Sequence, residues 1–177
     1  ENKNWIAYGI EYSRSAAKPA INEGLNIKTG EITNLKFPDN YFDVVTMHSV
    51  LEHIPNLYPT IDRVRKKLKK GGIFVFNVPN ISSLEFELYK FLKKPFAGFI
   101  YEHIYYFTPK SIKILLESNG FKILLMTSRH HSALRLPPTR PLIGLITFIP
   151  KLFLEYTNFG GKLKLGNILY VYAKKTN

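Results

Sequence analysis

Seven residues carry most of the chemistry this sequence offers: Glu11, Glu31, His48, Ser49, Glu52, His53 and His103. Carboxylates can accept hydrogen bonds from the hydroxyls of a sugar, and imidazoles can take or give a proton near neutral pH. Four of the seven crowd into Phe37 to His53, read Phe-Pro-Asp-Asn-Tyr-Phe-Asp-Val-Val-Thr-Met-His-Ser-Val-Leu-Glu-His. Pro38 presets φ and Asp39-Asn40 accept turn geometry. Phe42, Val44, Val45 and Met47 then form a short apolar run, suited to a parallel strand covered on both faces. In open α/β sheets ligands lie beyond the carboxyl ends of strands, which is where His48, Ser49, Glu52 and His53 fall.

Other elements must bring the remaining residues to that edge. Trp5–Ile10 is an apolar run ending in Gly9-Ile10-Glu11, a strand delivering an acid at its tip. In nucleotide-binding sheets such an acid takes ribose hydroxyls, although Glu11 as a plain polar strand end is the bland alternative. Ser13 can cap a helix over Arg14–Glu23 closed by Gly24, with Pro19 awkward inside it. Leu25–Thr29 reads as a weak strand leading to Gly30-Glu31-Ile32. Leu57, Ile61, Val64 and Leu68 recur at helical spacing, with Pro59 in the first turn and Gly71-Gly72 as the stop. Arg63, Lys66, Lys67 and Lys70 would form the solvated face of that helix. Ile73–Val78 is a buried strand ended by Pro79-Asn80. Thr108-Pro109 opens a helix lined by Ile112, Leu115 and Leu116, and Phe121–Ser128 and Asn167–Lys174 are strands.

The stretch Phe37–His53 resembles the fourth strand and following loop of class I S-adenosylmethionine-dependent methyltransferases. The likeness continues through Leu57–Gly72, Ile73–Asn80 and His103–Phe121. It implies a Rossmann-like three-layer α/β sandwich, one domain over 1–177, closed by two strands of which one runs antiparallel to the sheet. It further implies S-adenosyl-L-methionine as cofactor, with Glu11 on the ribose, Glu31 and Ile32 at the adenine, and His48 and Ser49 beside the cofactor at the strand tip. Glu31 stands where aspartate is commoner. The family's first strand and glycine-rich turn have no counterpart in the sequence, so the fold is expected to be incomplete at its N-terminus.

The expected reaction is methyl transfer to an oxygen or nitrogen of a small-molecule, glycan or lipid-linked acceptor. A non-catalytic methyltransferase-like module that binds a partner or a membrane is the alternative. Methyl transfer needs alignment, and a base only where the acceptor must lose a proton. His103, just before a helix on the presumed acceptor side, is the candidate for that base, and His53 is expected to tie its own loop. No metal is expected: His48…Glu52-His53 is one residue off the inverted zinc spacing, and Pro55 curtails any helix.

Composition sets the outer bounds. With 177 residues, 45% hydrophobic and 14% aromatic, the chain can bury a core. There are no cysteines, which excludes disulfides and thiolate metal sites and fits a cytoplasmic setting. The net charge of +12 is uneven: residues 1–80 hold 11 Lys/Arg against 8 Asp/Glu, and residues 81–177 hold 14 against 5. Nucleic acid is not the expected partner, because the aromatics cluster in apolar runs that read as core. Most of those of Ile81–Tyr106 (Phe91, Phe96, Phe99, Tyr101, Tyr105 and Tyr106) are likewise assigned to packing rather than to a lid. An apolar and basic insertion spans about 135–166. Its run 141–154 is too short to cross a bilayer; it is expected either to cap the core beneath the last strands or to make peripheral contact with an anionic membrane or lipid-linked substrate.

Overall fold

The computed structural model describes residues 5–33, 36–95, 100–129 and 165–176. The central strand forms where the apolar run predicts it, as β3 (Phe42–His48), after β1 (Gly9–Glu11), α1 (Arg14–Asn22) and β2 (Ile27–Thr29). A 3-10 turn (Leu51–His53), α2 (Leu57–Lys67), β4 (Leu68–Pro79), α3 (Leu84–Phe91), α4 (Pro109–Ser118), β5 (Phe121–Arg129) and β6 (Ile168–Lys175) follow. β1 and β2 pair parallel, and a four-stranded sheet has the order β3-β4-β6-β5. β3 and β4 are parallel, whereas β6 runs antiparallel to both β4 and β5, the closing arrangement the sequence resemblance implies. Tyr8, at the entry to β1, lies with its ring 6.0 Å from that of Phe42, so the two parallel pairs begin side by side.

One face of the larger sheet makes the core. Phe74, Phe76 and Val78 of β4 and Leu169, Val171 and Ala173 of β6 point the same way by the two-residue period of strands. They meet Leu57, Ile61 and Val64 of α2 and Ile112, Leu115 and Leu116 of α4. Capping fixes where the helices start. The Thr108 hydroxyl accepts from the Ser111 N–H while the Ser111 hydroxyl reaches back, and Ser13 and Ser83 cap α1 and α3. α1 passes through Pro19 without ending.

Four expectations are corrected. β3 is not covered on both faces: Asp43 and Thr46 are exposed and Val44 and Val45 half-buried, and among the described strands β3 has only β4 along its edges. The Trp5–Ile10 strand shrinks to Gly9–Glu11, with Trp5 and Ile6 exposed where no described element covers them. Gly71-Gly72 do not stop α2; it ends at Lys67, and Leu68 opens β4. Leu68 is buried opposite Phe42, and the Lys175 ammonium takes its carbonyl at 2.8 Å. Gly71, at φ +78°, then sits in a bulge, since the pairing jumps from Phe42–Leu68 to Val44–Ile73. Phe91 and Tyr101 are not packed; both are exposed, and α3 has no fully buried residue. Phe96 and Phe99 lie outside the described residues, as does 141–154 and all but the end of the 135–166 insertion.

The expected solvated face of α2 also changes at Lys67, which is buried. Its ammonium donates to the Phe37 carbonyl and to Asp39 Oδ1, both at 2.5 Å, while Lys175 donates to Asn40 Oδ1 at 2.9 Å. The hydrogen bond from Lys67 holds the Asp39 carboxyl below the usual aspartate range. Two lysines thus fix the turn that aims β3, and Asn40 adopts φ +53° there. Lys67→Met should cost about 1–3 kcal/mol, because the Phe37 carbonyl loses a charged donor. A denaturant midpoint equal to that of the parent would rule out this role.

Candidate active site at the strand ends

The tip of β3 carries a hydrogen-bonded chain that sequence reasoning only half anticipated. Nδ1 of His48 and Oδ1 of Asn77 are 2.8 Å apart, and Asn77 Nδ2 donates to Ser49 Oγ at 3.3 Å. With the amide oxygen facing the ring, His48 donates to it from Nδ1. Ser49 turns the chain at φ +51° immediately after the strand. Asn77 was not anticipated, although one polar residue within the apolar run Ile73–Val78 was a visible signal. It is buried opposite His48 in the β3–β4 register, where a hydrophobic residue would be cheaper unless the amide had partners.

Glu11 and Glu31 come to one end of the β1–β2 pair, since the strands are in register with Glu11 beside Thr29. Glu11 is half-buried, and its Oε1 accepts the Ser13 N–H at 2.8 Å. That bond fixes the carboxylate at the mouth of α1. Glu31 is exposed and accepts from the Thr33 hydroxyl at 3.2 Å, while Ile32 is partly buried against the core. No described contact joins these acids to His48 or Ser49.

A second cluster forms where the loop after β3 meets the segment before α4. The Glu52 carbonyl accepts the N–H groups of Ile104 (2.8 Å) and Tyr105 (3.2 Å), and the Tyr105 hydroxyl donates to the Pro55 carbonyl at 3.0 Å. His53 does not tie its own loop as expected but bridges to the segment before α4, with Nδ1 3.0 Å from the Glu102 carbonyl. These bonds set the His53 and His103 rings edge to face, centroids 4.8 Å apart. The Glu52 side chain is buried beneath them. Burial pushes its carboxyl up, partly offset by its own backbone N–H and the two imidazoles. Sequence spacing did not reveal this group, because His103 lies fifty positions beyond His53. Among the described residues, no helix is long and apolar enough to cross a membrane.

Comparison with known proteins gives a consistent result. The model of a family described as a methyltransferase domain matches residues 2–125. An uncharacterized protein of Methanocaldococcus jannaschii is 25% identical over 122 residues, covering 69% of this chain, which spans 58% of that relative's length. Among solved structures, an S-adenosylmethionine-dependent methyltransferase from Archaeoglobus fulgidus superposes with TM-score 0.62 at 19% identity, covering 95% of this chain and 75% of that one. Phosphoethanolamine N-methyltransferase 2 of Haemonchus contortus, in complex with S-adenosyl-L-methionine, gives TM-score 0.58 at 16% identity, covering 97% and 44%.

Proposed function

The chain belongs to the methyltransferase-domain family, and on that footing we propose that it serves S-adenosylmethionine-dependent methyl transfer to an oxygen or nitrogen atom. The family match over 2–125 carries this reading, since it takes in both parallel strand pairs and the loops at their ends. Residues 1–177 act in it as one methyltransferase-like domain. Glu11 holds the ribose hydroxyls, Glu31 and Ile32 border the adenine, and His48 and Ser49 lie along the cofactor. The carboxylate of Glu11, steadied by the Ser13 N–H, suits two vicinal hydroxyl donors, and the half-buried Ile32 offers an apolar edge to a purine.

When bound, S-adenosylmethionine would supply an electrophilic methyl group for in-line transfer to the acceptor's lone pair, with S-adenosylhomocysteine as the leaving product. A protonated amine would have to give up its proton before attack, and an alcohol during or after it. What the protein supplies is alignment, and a proton acceptor where one is needed. His103 is the residue set against the acceptor. The acceptor is a small molecule, a glycan or a lipid-linked molecule. A cytoplasmic location goes with this reading, with 141–154 as the contact to a membrane surface.

Calorimetric titration with S-adenosylmethionine tests the cofactor half. Glu11→Ala should weaken binding by about 1–3 kcal/mol, the range for losing a charged hydrogen-bond partner, and Glu31→Ala by less. An unchanged affinity for a folded Glu11→Ala protein would remove the ribose assignment.

A further inference from the structure

We propose that Glu52, His53 and His103 form a binding site for one divalent first-row transition-metal ion. Each residue offers one ligand atom, and the three atoms lie within 4.8 Å of one another. Glu52 is only 1% exposed, yet its Oε2 has no hydrogen-bond partner, and neither does the buried Nδ1 of His103. Leaving a buried polar atom unpaired is costly, and two such atoms in one cluster call for a third party. They do not satisfy each other, as a protonated Glu52 donating to the His103 ring would.

His53 supplies the independent observation. Its Nδ1 is committed to the Glu102 carbonyl at 3.0 Å, so the proton sits on Nδ1 and Nε2 is a bare donor atom. A backbone carbonyl on the far ring nitrogen is the arrangement that orients metal-bound histidines and raises their basicity. The site is rooted in the backbone bonds between Glu52 and residues 104 and 105, so both ligand-bearing loops are already held together. His53 is exposed, which gives the ion a way in.

The donor set selects the ion. Two imidazoles and one carboxylate favour zinc, cobalt, iron or manganese over magnesium and calcium, which prefer all-oxygen shells. Bonds of about 2.0–2.2 Å require the three atoms to draw together by up to roughly 1.5 Å, within reach of side-chain rotation. Three protein ligands leave coordination positions open to water or to an oxygen of the acceptor. The proposal rests on this loop geometry alone, not on the assignment of a methyl acceptor.

The test is metal titration of the chelator-stripped protein, with Zn²⁺, Mn²⁺ and Mg²⁺ by calorimetry and Co²⁺ by visible absorption. The expected result is one equivalent of Zn²⁺, bound at least tenfold more tightly than Mg²⁺. Glu52→Gln and His53→Ala should each weaken Zn²⁺ at least tenfold, whereas the double change His130→Ala, His131→Ala should not. Should either site variant fail to fold, the parent still decides the matter: bound Co²⁺ must shift the ring resonances of His53 and His103. Absence of saturable uptake, uptake indifferent to the site variants, or Co²⁺ that leaves both rings unshifted would overturn the proposal. None of these readouts measures turnover, so their failure would leave the methyl-transfer reading where it stood.

Discussion

Alanine at His103 is expected to lower turnover by about 10²–10⁴-fold, the usual loss when a positioned proton acceptor is removed, with S-adenosylmethionine affinity unchanged. The separation follows from position. His103 is tied to the loop after β3 through the backbone bonds around Glu52, while Glu11 and Glu31 lie at the ends of another strand pair. Its Nδ1 has no hydrogen-bond partner, which leaves two uses for the atom, proton transfer or ion binding. Those two uses differ under chelation. If the atom holds a metal, dialysis against a chelator should slow the parent and leave His103→Ala no slower than before. If it takes the proton directly, the parent should be indifferent to the chelator. A His103→Ala enzyme with parental turnover on its true acceptor would assign the residue to packing alone.

Phe74→Ala should be the most damaging single truncation to the fold, costing about 3–5 kcal/mol. Phe74 is fully buried in β4, the strand that pairs with both β3 and β6. Its ring lies 4.8 Å from Phe76 and 5.8 Å from Phe121, so its loss opens a void shared by β4 and the start of β5. Because β4 also holds Asn77, the cavity would loosen the partner of His48 three residues away. Urea denaturation should show the shift in midpoint at an unchanged slope. A loss below about 1 kcal/mol would mean that the site collapses freely, contrary to interior packing density.

Local patterns were legible where they acted locally. The turn at Pro38-Asp39-Asn40, the caps at Ser13 and Thr108 and the apolar spacing of α2 and α4 could all be read from neighbours in sequence. The antiparallel β6 came from family resemblance, since direction leaves no trace in an apolar run such as Ile168–Ala173. What was not legible depended on distant partners. Lys67 looks like any lysine on a basic helix face, and only the Phe37 carbonyl and Asp39 make it an interior residue. Leu68 fits the helical period as well as it fits a strand, and the contact with Phe42 decides between them. Of the candidate site, the position of His48 and Ser49 at a strand end was legible from the apolar run before them. Asn77 and the grouping of Glu52 with His103 were not, because they depend on pairing across 28 and 51 residues of chain.

The place of β6 bears on how the molecule can be made. It follows every other described strand in sequence, yet it lies between β4 and β5, and Lys175 reaches back across 135 positions to Asn40. On a ribosome, β4 and β5 would therefore emerge with unfilled edges and wait for a strand not yet synthesised. Contacts of such long sequence separation slow folding, and unpaired strand edges invite association during the delay. The sheet behind the candidate-site loops would close only once Ile168–Lys175 has left the exit tunnel, so nascent chains stalled short of that strand should depend on a holding chaperone.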